Sequence, residues 1–556
     1  MTSETKVRNR TNGVHDRPRS GQVAEPSTWL VHDWPLLCSP YFLLRGPSFF
    51  AQRVSFGVWL VFAHLLVTTA VGLGAQREQD VTLIEAVKRQ DAEAVRLLLN
   101  EHVNVNAAQM DGATALHWAV YFDDGDIVRV LVDAGADPTS KNVHGVVPLS
   151  LACANANAVM VELLLAAGAN ANVAVTTGET VLMSCSRTGN AAAVTALLAH
   201  GANVNAIESE DDQTALMWAV AQGHADVVGA LIAGGADVHR RSRARRLVIS
   251  RRLQSNLKYG ELGRRYGTDA DETEVGGYTA LLFAARHGDV DSARLLLSVG
   301  ANVDDASPDG RSALLVATHS GHPALVEFLL GEGANPNAAA AGYTSLHAAV
   351  LQGNLEVVEA LLARGARPNA QVTEATKVTR NGQVLMIGDH LVGATPFALA
   401  AKFAEVEIMQ ALISFGADGE LSLRNGWTPL MLAAGASWRY GVWDRRDRAM
   451  AQDLAFQAEH QDEMGTLAAV RLAMESSSEV DARDENGNTA LHHTVDKGFN
   501  SVIEFLVERG ADVNTSNVRG ETPLAVVKRR RRGNIEVASG TEDLLRSLGA
   551  QEPHSR

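Results

Sequence analysis

The sequence predicts an all-α repeat solenoid, built from stacked helix-turn-helix units with projecting β-hairpin loops. The segment DGATALHWAV at 111–120 recurs along the chain as a turn glycine, a Thr or Ser two residues later, and a short apolar run. Eight of the eleven steps between aligned copies are 32–34 residues long. A fixed period of this length is typical of a repeat array, in which each unit buries its apolar face against its neighbours.

Each copy predicts two helices. Thr114 begins a short helix through about Phe122, and a second helix follows and ends at Gly135, where a positive φ is needed. Leucines such as Leu163, Leu164 and Leu165 supply the buried side of the second helix. In chain order, the Thr position is occupied by Val81, Thr114, Val147, Thr180, Thr214, Thr279, Ser312, Thr344, Thr395, Thr428, Thr489 and Thr522.

The opening pattern of turn, Thr, Pro or Ala, Leu and His, together with GADVN-type endings at 201–205 and 510–514, resembles ankyrin repeats. The resemblance covers about 78–550 in about twelve copies. It implies an L-shaped stack of helix pairs, with the hairpin loops and the first helices forming a concave face. It also implies a non-enzymatic scaffold that binds a protein partner in that groove, and we expect a monomer.

Three steps exceed the period, by 32, 18 and 28 residues, which predicts three insertions. The predicted organisation is 1–53 disordered or not translated, 54–76 a signal peptide or membrane anchor, 78–239 repeats 1–5, 240–275 an Arg-rich insertion, 276–370 repeats 6–8, 371–391 a second insertion, and 392–550 repeats 9–12 with a third insertion at about 436–463.

The run at 54–76 contains no Asp, Glu, Lys or Arg and is long enough to span a bilayer. Its strongly apolar part is short and is followed by small residues, which favours a secretory signal peptide cleaved near Gly74 or Ala75. Because the run lies deep in the chain, we expect that translation starts near Val54. The alternative is an uncleaved anchor, which would make the chain a single-pass membrane sensor or regulatory protein. Both interpretations place the repeats outside the cytoplasm, periplasmic or secreted.

Composition and motifs exclude several functions. The net charge of −15 argues against a nucleic-acid partner. The sequence has no phosphate-binding loop, zinc-protease motif or nucleophile elbow, so we expect no catalytic residue, cofactor or metal. Cys153 and Cys185 fall on the first helices of neighbouring repeats. Because packed helices lie about 8–10 Å apart, we expect two small core residues rather than a disulfide.

The insertion at 240–265 carries ten basic residues and only one acidic residue. It could bind an anionic surface such as lipid or glycan. The alternative is a solvated loop that pairs with its own acidic stretch at 269–274.

The resemblance also implies roles for particular residues. A network between the Thr and the His of the opening motif fixes the turn, which here would involve Thr114 with His117, Thr344 with His347, and Thr489 with His492. Aromatic residues at the partner-facing positions are the candidate binding residues, since Trp and Tyr often anchor interfaces. For Trp118, Trp218 and Phe283 the alternative is a place in the core. The candidates are Trp118, Tyr121, Phe122, Trp218, Tyr278, Phe283, Tyr343, Phe403 and Trp427.

Overall fold

The computed structural model describes residues 82–250, 270–375, 387–436, 458–477, 479–495, 497–531 and 537–552, all of which belong to one unit of the chain. The predictions for 1–53 and 54–76 lie outside the described residues, as do the middle parts of the three insertions. Within the described ranges, no helix combines the length and the apolar character needed to cross a membrane.

The described residues form successive pairs of helices, which confirms the predicted helical repeat fold. The first helices are 82–88, Ala115–Tyr121, Pro148–Ala154, Val181–Thr188, Ala215–Ala221, Ala280–His287, Ala313–His319, Ser345–Gln352, Pro396–Lys402, Pro429–Ala433, Ala490–Val495 and Pro523–Arg531. The second helices are Ala92–Asn100, Gly125–Asp133, Ala158–Ala166, Ala191–Ala199, Ala225–Ala233, Val290–Ser298, Pro323–Gly331, Leu355–Ala363, Val406–Ser414, Ala458–Glu475, Asn500–Glu508 and Val537–Ser547. Repeats are numbered below by their order in these two lists.

Local sequence determines where each helix begins. The Thr or Ser of the opening motif is the N-cap of the first helix, and in Thr180 and Ser312 its hydroxyl accepts the N–H of the third helical residue. Asp or Asn caps six of the described second helices in the same way, as Asp124 does for the N–H of Ile127. Proline at the first helical position, as in Pro148, costs no hydrogen bond because that N–H has no partner within a helix.

Residues at the end of the second helix determine the turn that follows it and contribute a buried leucine to the core. The glycine that follows this helix has a positive φ, for example +87° at Gly135 and +97° at Gly168, as the sequence predicted. The residue four positions before each of these helix-ending glycines is a leucine that is completely buried. These leucines are Leu131, Leu164, Leu197, Leu231, Leu296, Leu329, Leu361, Leu412, Leu506 and Leu545.

At six of the described junctions, those that follow repeats 1, 3, 4, 7, 8 and 11, an asparagine clamps one repeat to the next. Asn205 Nδ2 donates to the Gly235 carbonyl at 3.2 Å, and its Oδ1 accepts the Asp237 N–H at 2.8 Å. The same two bonds join Asn106 to Gly135 and Asp137. Across the second insertion, Asn369 makes both bonds to Gly416 and Asp418. The clamp therefore keeps its geometry where the sequence period is broken.

The first insertion is an elongated hairpin loop. Ala244–Ser250 pairs antiparallel with Ala270–Gly276, with Ala244 opposite Gly276 and Ser250 opposite Ala270. The hairpin starts from the same position as the shorter loops of the other repeats, since the Arg243 N–H donates to Asp211 O as Val143 N–H does to Asp111 O. The third insertion leads into Ala458–Glu475, which has 18 residues where the other second helices mostly have nine.

The Thr–His pairs form the same network in three repeats. His117 Nδ1 accepts the Thr114 N–H at 3.2 Å and lies 2.9 Å from the Thr114 hydroxyl, while its Nε2–H donates to the Val146 carbonyl of the next repeat at 3.1 Å. His347 and His492 make the equivalent contacts. Burial lowers the pKa of all three imidazoles, that of His347 to about 4. Each ring is therefore neutral and links its own turn to the next repeat.

The expectation of two separate core cysteines is wrong. Cys153 and Cys185 form a disulfide, with a Cα–Cα distance of 4.6 Å. The spacing of about 8–10 Å applies to helix axes. Because each Cα lies about 2.3 Å from its axis, facing Cα atoms on neighbouring helices come within disulfide range. Both residues are fully buried, so the bond crosses the core between repeats 3 and 4.

We predict that breaking this disulfide destabilises the array by about 3–4 kcal/mol. The bond closes a loop in the unfolded chain and so lowers the conformational entropy of the unfolded state. Urea unfolding of the oxidised wild type, the reduced wild type and the double variant Cys153→Ala, Cys185→Ala measures the effect. The double variant serves as the control and is expected to match the reduced protein. Equal midpoints for the oxidised and reduced proteins would show that the bond is absent.

We predict that acidification from pH 7 towards pH 4 destabilises the array through the buried histidines. The folded pKa of His347, about 4, lies below the unfolded value near 6.5, so the folded state binds fewer protons. The stabilisation is therefore complete above about pH 6.5 and is lost as the pH falls, by up to about 1.4 kcal/mol per pH unit. Urea unfolding at pH 7, 6 and 5 measures the free energy of unfolding of wild type and His347→Gln. We expect the difference between the two proteins to shrink as the pH falls. A constant difference would exclude this linkage.

Candidate functional site

The hairpin loops and the outward sides of the first helices form one continuous surface, called here the hairpin face. In repeat 2 a hydrogen bond joins its two parts, because Trp118 Nε1 donates to Gln109 Oε1 of the hairpin at 3.1 Å. Lys88 at the end of the preceding first helix lies 4.7 Å above the Trp118 ring. The hairpin face is therefore where a side chain from the loop, the helix and the neighbouring repeat can meet one ligand.

An aromatic cluster lies on this face in repeat 2. The Trp118 ring stacks on Phe122 at 6.0 Å and meets the edge of Tyr121 at 5.7 Å, and Tyr121 and Phe122 lie 5.2 Å apart. Phe122 is exposed, while Trp118 and Tyr121 are half-buried. The three rings support one another and leave a part of their surface in water, which is the arrangement that anchors partner side chains.

Two apolar side chains at neighbouring hairpin tips are exposed on the same face, and sequence reasoning missed both. Met110 is fully exposed and Val143 is 66% exposed. Their tips are joined by the hydrogen bond from Val143 N–H to Asp111 O. Both residues stand two positions before a turn glycine, and that spacing was the available signal. Met110, Trp118, Tyr121, Phe122 and Val143 together are called the N-terminal patch.

Two further candidates lie half-buried on the face, away from the N-terminal patch. Trp218 occupies in repeat 5 the position of Trp118 in repeat 2, and the Arg187 guanidinium lies 5.7 Å from its ring. Phe403 ends the first helix of repeat 9 beneath the Lys402 ammonium, which lies 4.4 Å from the ring centre. Each therefore offers an aromatic ring beside a cation.

Three of the predicted binding residues are buried between repeats 6 and 8. Tyr278 and Phe283 contact each other at 5.8 Å, and the Tyr343 hydroxyl donates to His319 Nε2 at 2.6 Å. Burial lowers the pKa of His319 to about 4 and raises that of Tyr343 to about 12, so this hydrogen bond joins two neutral groups. Because their surfaces are used inside the chain, we exclude all three from the proposed binding residues.

Trp427 is also buried and holds two hairpins together. Its Nε1 donates to Asp484 Oδ2 at 3.2 Å, and the same oxygen lies 3.2 Å from His493 Nε2. Burial opposes the charge of Asp484, yet the hydrogen bonds from His493 and Asn488 hold the pKa of its carboxyl below the ordinary value. Trp427 thus joins repeats 10 and 11 and is likewise excluded from the proposed binding residues.

The arginines at the base of the elongated hairpin are engaged within the chain. Arg243 donates to both carboxylate oxygens of Asp212, at 2.9 and 2.7 Å, which lowers the pKa of Asp212. Arg245 pairs with Asp211 at 2.7 Å, and Arg241 pairs with Asp305. These three side chains fix the hairpin to the neighbouring loops. Residues 251–265 of the basic stretch lie outside the described residues.

In the part of the chain that the structure describes, no group of three or more His, Cys, Asp or Glu side chains is arranged to hold a metal ion. Two further histidines lie at the turn between the helices of a pair. There His224 and His322 donate to the carbonyls of Arg187 and Arg286, each at 3.0 Å.

Curated proteins with similar sequences match parts of the chain. It is 41% identical over 86 residues to an ankyrin repeat-containing protein of Schizosaccharomyces pombe, covering 16% of this chain and 38% of that protein. It is 32% identical over 186 residues to the B-cell lymphoma 3 protein homolog of Mus musculus, covering 32% and 41%. The chain thus spans about two fifths of the length of these relatives. The solved human ASB11 ankyrin repeat domain matches at 25% identity and a TM-score of 0.36, over 46% of this chain and 98% of that one.

The family model for ankyrin repeats matches residues 60–142, 149–242, 258–340, 307–372 and 458–539. These matches cover more than half of the chain and include the first and third insertions in part. The chain therefore belongs to the ankyrin-repeat family.

Proposed function

We propose that this protein is a non-enzymatic scaffold that binds a protein partner on its hairpin face, with the N-terminal patch as the main anchor. Ankyrin repeats are in general protein-interaction modules without catalysis. The observation that carries the finer proposal is the cluster of Trp118, Tyr121 and Phe122 with exposed Met110 and Val143 beside it. The partner would be a protein that inserts an apolar side chain between hairpin tips and first helices.

Energetics favour this surface for binding. The patch is preorganised, because the Gln109 hydrogen bond and the Lys88 contact already fix the Trp118 ring. Binding to such a surface costs little additional ordering entropy. Anionic-surface binding by 240–265 is not part of the proposal, since Arg241, Arg243 and Arg245 are paired within the chain. Nucleic acid is not proposed as a partner, and the binding unit is taken to be a monomer.

We further propose that the scaffold works outside the cytoplasm, in the periplasm or as a secreted protein. Two independent features support this location. The apolar run at 54–76 has the pattern of a cleaved signal peptide. The Cys153–Cys185 bond is of the kind that persists in oxidising compartments and is rare in the cytosol. If 54–76 is not cleaved, the repeats are held outside on a single-pass anchor, and the protein would then be a membrane sensor or regulator.

We predict that Trp118→Ala and Phe122→Ala each weaken partner binding about ten-fold or more, because central aromatic anchors contribute about 2 kcal/mol or more. Affinity capture from an extracytoplasmic fraction, with quantitative mass spectrometry, measures the retained partners. Leu97→Ala is the matched control, since Leu97 is exposed on the second helix of repeat 1. Equal capture by all variants would refute the patch as anchor. A large fall in melting temperature for Trp118→Ala alone would assign that ring to the core.

We predict that the native protein fractionates outside the cytoplasm, begins near residue 75, and carries a closed Cys153–Cys185 bond. Cleavage of the signal peptide and the redox state of the compartment both require this result. N-terminal sequencing, fractionation with and without detergent, and alkylation of the unfolded protein under non-reducing conditions test it. Release only with detergent would favour the anchor. A cytosolic protein with both thiols free would contradict the proposal.

A further inference from the structure

Buried N–H donors without an acceptor mark one place on the hairpin face. Among the described residues, the indole Nε1 of Trp218 and the guanidinium Nε of Arg187 are both buried and both lack a hydrogen-bond partner. An unsatisfied buried donor destabilises the folded state, so its presence in a native structure calls for an explanation. The two donors belong to neighbouring side chains, since the Arg187 guanidinium lies 5.7 Å from the Trp218 ring. They are called here the Arg–Trp pair.

The rest of the chain shows why this pair lacks an acceptor. In repeat 2 the equivalent indole N–H of Trp118 donates to Gln109. The residue at that position in repeat 5 is Glu208, whose N–H donates to Gln213 O as the Gln109 N–H donates to Ala113 O. Its carboxylate oxygens accept the backbone N–H groups of Glu210, Asp211 and Gln213 instead. The hairpin of repeat 5 therefore does not supply the acceptor that the hairpin of repeat 2 supplies.

The nearest carboxylate does not complete the site either. Glu179 Oε1 lies 3.7 Å from Arg187 Nη2, which is beyond hydrogen-bond distance, and this oxygen accepts the Ser184 hydroxyl at 2.7 Å. The Arg187 side chain is 27% exposed, so its guanidinium can be reached from solvent. Lys88, the cation beside Trp118, is already hydrogen-bonded to Glu85 at 2.9 Å. The cation beside Trp218 is thus the less satisfied of the two.

We propose that the Arg–Trp pair binds a carboxylate on the partner protein, from an Asp or Glu side chain, after a small rotation of the two side chains. This proposal rests on the proposed function, because the partner is the protein bound on the hairpin face. The planar guanidinium matches a carboxylate in geometry and charge, and the indole N–H adds a donor at the same place. The N-terminal patch then selects an apolar residue, and the Arg–Trp pair selects an acidic residue of the same partner.

A second arginine on the face is a weaker candidate. Arg311 Nε also lacks an acceptor, but its Nη2 donates to Asp309 at 2.6 Å. Its charge is therefore already compensated within the chain, and the proposal does not depend on it.

The test is a selection of displayed random twelve-residue peptides on the wild-type chain, followed by affinity measurement of the enriched peptides. We expect enrichment of Asp or Glu, about a ten-fold or greater loss of affinity with Arg187→Gln, and a smaller loss with Trp218→Phe, which keeps the ring but removes the N–H. Arg129→Gln is the matched control, because Arg129 is exposed on the second helix of repeat 2. Affinity is also expected to fall with added salt.

The outcomes separate this proposal from the proposed function. Apolar peptides that lose affinity with Trp118→Ala but not with Arg187→Gln would overturn the carboxylate site and leave the scaffold proposal intact. Acidic peptides that bind all variants equally, or no enrichment over the Arg187→Gln chain, would also overturn the carboxylate site. Melting curves of each variant show whether a loss of affinity reflects unfolding.

Discussion

The stack depends on one recurring polar contact, the asparagine that bridges a repeat to the next at six of the described junctions. Its amide donates to the carbonyl of the next helix-ending glycine and accepts a backbone N–H two residues later, as Asn172 does with Gly201 and Asn203. Such a bond pair satisfies backbone groups at a helix end that have no partner within the helix. It also fixes the spacing between repeats, because both bonds form only when the two turns lie in register. With the repeats in register, the buried leucines pack in one core. The Thr–His networks add a second link between neighbouring repeats, at the turn before the first helix.

This constraint explains how the chain tolerates its insertions. Asn369 clamps Gly416 across the second insertion, so the residues added there leave this contact unchanged. Asn205 clamps Gly235 just before the elongated hairpin, so the first insertion starts from a fixed turn. After the third insertion an aspartate makes the acceptor half of this contact, since Asp481 accepts the Asp512 N–H. With the stack fixed in this way, residues on the hairpin face are free to vary. Function therefore depends on which side chains occupy that face, rather than on the backbone that presents it.

The signals for the helix pairs are local and recur in each repeat. The sequence alone therefore predicted the helix pairs, the positive φ of the glycines and the leucine core. The candidate site was predicted less well, because exposure depends on neighbouring repeats. Trp118 and Trp427 are both aromatic residues at partner-facing positions, but only Trp427 has a buried carboxylate, that of Asp484, to bind it into the core. Met110 and Val143 are ordinary loop residues in the sequence and become an apolar surface only when their hairpins lie side by side. The disulfide was missed because axis spacing was used in place of the distance between facing Cα atoms.

The central claim is that a partner is bound on the hairpin face near repeats 2 and 3. The most direct measurement places a photo-crosslinking amino acid at Val143 or at Val159. These two valines are 66% and 67% exposed, in the hairpin and in the second helix of repeat 3 respectively. After irradiation in an extracytoplasmic extract, we expect a crosslinked protein from position 143 and none from position 159. Adducts from 159 alone, or equally from both positions, would contradict the account.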